Sequence, residues 1–116
     1  MHVRERERNG TMICYLSGEV TIDTAQELKR TLQGVIDNKW QSVLLHLGGL
    51  EYIDSSGLAA LVQFSIDLKN IQGVMVLSDM PPTIRSIFGI TKLEKMFKIY
   101  ETEEEAFKDL GKGAQS

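Results

Sequence analysis

Two short apolar runs on either side of one amphipathic segment restrict the fold of this chain more than any other feature. Residues 43–47 are Val-Leu-Leu-His-Leu and residues 74–77 are Val-Met-Val-Leu, the pattern of strands covered on both faces of a parallel sheet. Between them, Leu58, Leu61 and Leu68 recur at helical spacing, which predicts a helix packed on that sheet. The order strand, helix, strand predicts a right-handed parallel crossover and an α/β fold.

The remaining segments add an antiparallel hairpin and further helices to this unit. Asn9-Gly10 is a strong two-residue hairpin signal between a charged first strand and an apolar second strand. Pro82 suits the first turn of a helix. We therefore expect a mixed sheet of four to five strands with about four helices, folded as one domain over residues 1–110 and followed by a flexible tail at residues 111–116.

Two of the predicted strands are expected to end at glycine-containing segments. Gly48-Gly49 follows the central strand and is expected to break it, so that the chain bends towards the segment that follows. Residues 18–24 are expected to form a loop that ends in helix-capping residues. Glu27 lies three positions after Thr24, the spacing of a capping box, which predicts a helix that runs to about residue 38.

The charges of the chain are mild and dispersed. Its 116 residues carry a formal net charge of −3, and the densest cluster, residues 4–8, alternates arginine with glutamate. We interpret this alternation as giving no basic patch, so no direct nucleic-acid partner is expected. As a strand, the cluster suits only a sheet edge, where its charges discourage association, and we expect a monomer or a weak homodimer.

Several classes of site have no basis in this sequence. No apolar run reaches the roughly 18 residues that a membrane span needs, and the first residues lack the apolar core of a signal peptide, so a cytoplasmic location without membrane contact is expected. The lone Cys14, between Ile13 and Tyr15, is expected to fill a small apolar space in a strand. One cysteine and two separated histidines offer no metal cluster, and no cofactor is expected.

Residues 54–57, Asp-Ser-Ser-Gly, connect the central strand to the amphipathic helix. Asp and Ser are good N-cap residues because their side-chain oxygens accept from backbone N–H groups that have no partner inside the helix. The same helix end favours an anion, so free N–H groups would hold a phosphate on a serine there. Gly57 adds no side chain to obstruct a kinase or a phosphate. Helix capping alone and a phosphorylation site are both open interpretations at this point.

The segment Ile53-Asp54-Ser55-Ser56-Gly57-Leu58, preceded by the strand at residues 43–47 and by Leu16-Ser17-Gly18-Glu19-Val20, resembles the STAS domain family. The resemblance is specifically to its single-domain anti-anti-sigma factors (anti-sigma factor antagonists) of bacteria, and it covers nearly the whole chain. It implies a STAS-like α/β fold. It also implies that Ser56 is phosphorylated by a partner anti-sigma factor, which is a serine kinase, and that a serine phosphatase reverses the modification. Ser55 corresponds to the neighbouring, usually unmodified serine.

A partner-binding surface around Ser56 is a further implication of the resemblance. The carboxyl ends of parallel strands meet at one edge of an open sheet, and the residues expected there, beside Asp54, Ser55 and Gly57, are Thr21, Asp23, Thr24, Leu58, Ser78, Asp79 and Met80. Residues 78–81 are expected to form a loop after the second apolar strand. The family often has an aspartate where Thr21 stands, which puts an acidic role of that position in doubt. Asp23 is a substitute for that acid, although helix capping is the interpretation that its position favours.

The resemblance implies that the unmodified protein binds its anti-sigma factor and frees the sigma factor, and that phosphorylation of Ser56 ends this binding. The protein would then be a substrate and not an enzyme. A serine hydrolase is a rival function, although Gly-x-Ser-x-Gly is absent and neither His2 nor His46 is clearly placed as a base. His46, flanked by leucines, is expected to be structural. A carrier protein with a pantetheine arm and a STAS module of a transporter or stress-signalling complex are two further candidate functions.

Overall fold

The computed structural model describes the backbone of residues 1–114 and the side chains of residues 1–111. The elements are β1 (His2–Arg8), β2 (Thr11–Val20), α1 (Ala25–Asp37), β3 (Ser42–Ile53), α2 (Ser55–Asn70), β4 (Val74–Ser78), α3 (Pro82–Ile90), a 3₁₀ turn (Leu93–Lys95), β5 (Lys98–Tyr100) and α4 (Glu103–Ala114). The five strands form one sheet in the order β1-β2-β3-β4-β5, in which β1 and β2 are antiparallel and the other neighbours are parallel. The predicted mixed sheet with an N-terminal hairpin and four helices is confirmed.

The turn between β1 and β2 forms as the sequence predicts. Asn9 and Gly10 take positive φ angles of 46° and 84°, the left-handed region that a two-residue hairpin requires. The antiparallel register pairs Arg4 with Tyr15. β1 therefore lies at the edge of the sheet, and its outer side has no paired strand among residues 1–114.

β2 and β3 are longer than the sequence predicts. Gly48-Gly49 does not break β3, which continues through both glycines, and residues 18–20 belong to β2 instead of a loop. The two strands stay paired here with a shifted register that places Ser17 opposite Gly49. A Cβ on Gly49 would lie only 2.7 Å from the Cβ of Ser17. Glycine therefore allows the irregular strands to approach, and the loop before α1 shortens to residues 21–24.

The helices cover the two faces of the sheet unequally. α1, α2 and α3 pack on one face over the larger core, in which Leu28, Leu61 and Phe88 are fully buried. α4 covers part of the opposite face through a smaller apolar cluster. Because successive strand residues face opposite sides of a sheet, β2, β3 and β4 contribute side chains to the apolar clusters on both faces. The smaller cluster consists of Ile13, Leu44, Val76, Ala106 and Leu110.

Helix α4 reaches Ala114, beyond the predicted end of the domain at residue 110. Residues 111–114 of the predicted tail therefore lie in a helix, and residues 115–116 lie outside the described residues. Glutamates occupy the first turn, where the helix dipole favours acids. Tyr15 of β2 donates a hydrogen bond from its hydroxyl to Glu103 at 2.8 Å, which fixes the start of α4 on the sheet.

Candidate functional site

Helix α2 begins at Ser55, and Asp54 is its N-cap. One carboxylate oxygen, Oδ1, accepts hydrogen bonds from the backbone N–H groups of Ser56 at 2.9 Å and Gly57 at 3.1 Å. These N–H groups have no acceptor within the helix, so the carboxylate satisfies two otherwise unpaired donors. The predicted cap at this junction is confirmed, and the residue that forms it is Asp54.

The second carboxylate oxygen of Asp54 joins the helix to the loop before α1. Oδ2 accepts from the backbone N–H of Ile22 at 3.0 Å, and the N–H of Asp54 donates to the carbonyl of Val20 at 2.9 Å. Asp54 therefore holds residues 21–24 beside the first turn of α2. Thr21, Asp23 and Thr24, which were expected near Ser56, do lie in this loop.

Thr24 and Asp23 do not cap α1 as the sequence predicts. Thr24 occupies the N-cap position, but its side chain makes no capping hydrogen bond. Its hydroxyl instead accepts from the N–H of Thr21 at 2.9 Å and donates to the carbonyl of Glu19 at 3.1 Å. The predicted capping box with Glu27 is therefore wrong, because Thr24 stabilises the loop. Asp23 is exposed, and its carboxylate accepts no hydrogen bond from the residues whose side chains are described.

Ser56 is partly exposed and Ser55 is exposed, both in the first turn of α2. Within the described residues, the hydroxyl of Ser56 has no hydrogen-bond partner. No internal hydrogen bond among the described residues therefore has to break before this oxygen contacts solvent.

Gly57 lies on the buried side of α2, which differs from the expectation that it keeps the approach to the serines open. A Cβ at this position would lie 2.6 Å from Cγ1 of Ile53 and 2.7 Å from Cγ1 of Val20. Both of those side chains are fully buried. Glycine is needed here because the helix start packs directly on the ends of β2 and β3, which sets the position of Ser56.

The anion-binding capacity of the helix end is already partly used. Because Asp54 accepts from the N–H groups of Ser56 and Gly57, a phosphate on Ser56 would not find those donors free, as the sequence interpretation assumes. It would share the positive end of the helix with a carboxylate. A phosphate at this position would therefore add its charge to that of the Asp54 carboxylate.

Two residues expected at the partner surface are buried. Ser78 ends β4 and is 0% exposed, and Leu58 is 6% exposed within the larger core. The sequence places Ser78 in a loop, but β4 extends through it, in register with His46 of β3. The side chains of Ser78 and Leu58 are therefore too buried to contact a partner directly, contrary to the expectation from the sequence.

Asp79 and Met80 lie between β4 and α3 and are partly exposed. Asp79 has a left-handed φ of 54°, and its Oδ2 lies 3.1 Å from Nε2 of His46 without the angles of a hydrogen bond. Nδ1 of His46 accepts from the N–H of Gly48 at 3.2 Å. Each ring nitrogen of His46 therefore has a polar neighbour: Nδ1 the Gly48 N–H and Nε2 the Asp79 carboxylate. Among the described residues, no hydrogen bond connects Asp79 with Asp54 or Ser56.

Sequence reasoning missed two exposed apolar residues, of which Ile22 belongs to this site. Ile22 is 73% exposed in the loop that Asp54 holds, and Ile90 is 82% exposed at the end of α3. An open groove of about 470 Å³ beside Ser55 is lined mainly by apolar side chains, among them Ala59, Val62 and Leu93. A single apolar residue within the polar segment Thr-Ile-Asp-Thr was the available signal for Ile22.

The remaining chemistry of the described residues is sparse. Burial, with a smaller contribution from the Glu5 carboxylate, raises the pKa of the Cys14 thiol to about 12, so this thiol is protonated and unreactive at neutral pH. In residues 1–111, no group of three His, Cys, Asp or Glu side chains is arranged to hold a metal ion. No helix within the described part of the chain has the length and apolar content needed to cross a membrane.

Fold and site together define a small α/β domain that presents a serine at the capped start of a helix. A sequence profile described as the STAS domain matches residues 2–106. The chain therefore belongs to the STAS domain family.

Relatives and solved structures agree with this assignment. A Bordetella bronchiseptica protein, provisionally named as the anti-sigma factor antagonist BtrV, is 32% identical over 98 residues, 84% of each chain. The crystal structure of an anti-sigma factor antagonist from Mycobacterium paratuberculosis has a TM-score of 0.86 at 23% identity, covering 94% of this chain and 92% of that chain. The Bacillus cell fate determinant SpoIIAA in its phosphorylated form has a TM-score of 0.71 at 21% identity, covering 94% of this chain and 99% of that chain. At these identities the two structures establish the fold alone.

Proposed function

We propose that this protein is an anti-sigma factor antagonist controlled by phosphorylation of Ser56. In its unmodified form it binds a kinase-type anti-sigma factor, which releases the sigma factor, and phosphorylation by that kinase ends the binding. The observation that carries the proposal is a partly exposed serine hydroxyl, without an internal partner among the described residues, in the first turn of α2. The name of the Bordetella bronchiseptica relative supports the antagonist part of the proposal.

The contact surface that we propose consists of the loop at residues 21–24 and the first turn of α2. Exposed Ile22 supplies apolar area and exposed Asp23 supplies a charge. Asp54 holds both parts in one arrangement through three backbone N–H groups, so little ordering is required when the partner binds. Met80 and Asp79 belong to a neighbouring loop and are retained as outer contacts of the same surface.

The switch is proposed to act through charge. A phosphate adds about −1.5 to −2 charges, and it would stand beside the carboxylate of Asp54, whose Oδ1 is already bound to the Ser56 N–H at 2.9 Å. Like charges brought together at an interface cost several kcal/mol, so a loss of affinity of about a hundredfold or more is expected. The fold itself should change little, because the added group projects from a partly exposed position.

The protein is a substrate of catalysis in this scheme, and a serine phosphatase restores the binding form. The ring nitrogens of His46 lie next to Gly48 and Asp79, and His2 lies in the edge strand β1. Within the described residues, neither histidine is hydrogen-bonded to Ser56, so nothing resembles the base of a serine hydrolase. We propose that these steps take place in the cytoplasm, where the transcription machinery is found.

Affinity capture from native extract tests the proposal. Wild type, Ser56→Ala, Ser56→Asp and the matched control Ser55→Asp are immobilised, and the retained kinase is quantified. We expect Ser56→Ala to retain the kinase as wild type does and Ser56→Asp to lose most of it, whereas Ser55→Asp has the smaller effect. Equal retention by Ser56→Ala and Ser56→Asp would contradict the proposed switch.

A further inference from the structure

The charges of β1 are sorted by face, which the linear sequence conceals. Because side chains alternate across a strand, Arg4 and Arg6 lie on the same side as Tyr15 and Ile13, and Glu5 lies on the opposite side with Cys14. The linear alternation of arginine and glutamate suggests that the segment has no basic patch. In the folded strand it gives a basic row on one face and an acidic row, Glu5 and Glu7, on the other.

The basic row consists of Arg4, Arg6 and Arg8. Arg4 and Arg6 contact Tyr15 but have no acidic partner among the described residues. The guanidinium of Arg4 lies 4.6 Å from the centre of the Tyr15 ring, and Nη1 of Arg6 donates to the Tyr15 hydroxyl at 3.3 Å. Arg8, by contrast, forms ion pairs with Glu103 at 3.1 Å and Glu104 at 2.8 Å. Among the described residues, neither Arg4 nor Arg6 has a carboxylate within ion-pair distance, and both are exposed.

The same strand offers a free backbone edge. β1 ends the sheet, and no described strand pairs with its outer side. An extended peptide that adds to such an edge gains main-chain hydrogen bonds, and its side chains meet those of the edge strand face by face. Charges on an edge strand also discourage unwanted pairing with other strands. The charges of β1 therefore either only prevent pairing or also select a complementary strand.

The charges of β1 restrict which strands can pair with its outer edge. A second copy of β1 added antiparallel about a two-fold axis would place Arg6 opposite Arg6 on one face and Glu5 opposite Glu7 on the other. Like charges directly opposite one another destabilise a sheet. A complementary strand needs acidic side chains on the arginine face and basic side chains on the glutamate face. Such a strand also alternates in charge, with the opposite sign at each position.

We propose that the outer edge of β1 binds an extended segment of a different protein, in which acidic and basic residues alternate, as an added strand. The acidic residues of the segment pair with Arg4 and Arg6, and its basic residues pair with Glu5 and Glu7. This surface belongs to the edge of the sheet and does not depend on the proposed role of Ser56. It gives the domain a second interaction surface, whose occupancy is sensitive to salt.

Two synthetic peptides of identical composition test the proposal against the full chain. The first alternates, Glu-Lys-Glu-Lys-Glu-Lys-Glu, and the second has the blocks Glu-Glu-Glu-Glu-Lys-Lys-Lys. Binding of labelled peptides is measured by fluorescence anisotropy at low salt. We expect the alternating peptide to bind about tenfold more tightly, because only it can place an opposite charge beside each of Arg4, Glu5, Arg6 and Glu7. Equal affinity of the two peptides would mean that the β1 charges only protect the edge, and would overturn the proposal.

Variants locate the binding site. Arg4→Gln/Arg6→Gln should abolish the preference for the alternating peptide, whereas the control Lys29→Gln/Arg30→Gln, which removes two exposed charges from α1, should retain it. Thermal unfolding verifies that each variant is folded, and Glu5→Gln/Glu7→Gln should reduce the preference from the opposite face. A preference that survives both β1 variants would overturn the proposal. Binding of anionic lipid vesicles or RNA through Arg4 and Arg6 as tightly as the alternating peptide, or self-association of the chain through them, would also overturn it.

Discussion

Replacing Gly57 by alanine perturbs the packing that positions Ser56. The new Cβ would lie 2.6 Å from Cγ1 of Ile53 and 2.7 Å from Cγ1 of Val20, whereas carbon atoms pack favourably at about 3.5–4.0 Å. Ile53 is 1% exposed and Val20 is 0% exposed, so neither side chain has space to move away. Overpacking of this kind costs about 1–3 kcal/mol. The better helix propensity of alanine offsets at most about 1 kcal/mol of this cost.

We therefore expect Gly57→Ala to lower the free energy of unfolding by about 1–2 kcal/mol. Gly34 in α1 is a matched control, because a Cβ there would have no heavy atom within 4 Å. Gly34→Ala should raise the stability by about 0.5–1 kcal/mol. Urea unfolding followed by circular dichroism measures both changes. A Gly57→Ala variant as stable as wild type, together with the expected gain for Gly34→Ala, would refute tight packing at Gly57.

Two further predictions concern Asp54 and Cys14. Asp54→Ala removes the acceptor of three backbone N–H groups and should lower the free energy of unfolding in urea by about 2 kcal/mol. Asp54→Asn should lower it by about half as much. A loss below about 0.5 kcal/mol for Asp54→Ala would contradict the assigned cap. Burial raises the Cys14 pKa from 9.0 to about 12, so the folded state holds this proton more tightly, and the stability present below pH 9 is lost as the pH rises towards 12. At pH 11, two units above 9.0, the loss is about 2–3 kcal/mol. Cys14→Ala should show a shallower decline between pH 9 and 11, and identical slopes would disprove the assignment.

Features that depend on neighbouring residues were predictable from the sequence. The hairpin at Asn9-Gly10 follows from the φ angles that these residues accept. The cap at the start of α2 follows from the chemistry of an aspartate before an apolar helical segment. The parallel β3-α2-β4 unit follows from two apolar runs with a helix between them.

Features that depend on distant residues were not predictable in the same way. Gly48-Gly49 resembles a strand break, because the sequence does not reveal that Ser17 of β2 approaches closely enough to need glycine there. Ser78 resembles a loop residue, because its burial depends on the pairing of β4 with β3. Thr24 resembles a helix cap, but its hydroxyl has competing partners in the loop, and the loop contacts prevail over the cap.

The basic row of β1 escapes prediction for a different reason. Summed along the sequence, the three arginines and two glutamates of residues 4–8 leave a net charge of only +1. The strand period of two separates them onto opposite faces. The edge strand is therefore predictable from the sequence, but the basic row emerges only when the alternation of side chains across that strand is also considered.

Phosphate transfer to Ser56 is the most direct test of the proposed control mechanism. The kinase recovered from native extract is incubated with ATP and the full chain, the modified residue is identified by mass spectrometry, and the affinity of the modified chain for the kinase is measured by calorimetry. The account predicts one phosphate, on Ser56, and an affinity about a hundredfold or more below that of the unmodified chain. A phosphate confined to Ser55, or unchanged affinity after modification of Ser56, would contradict it.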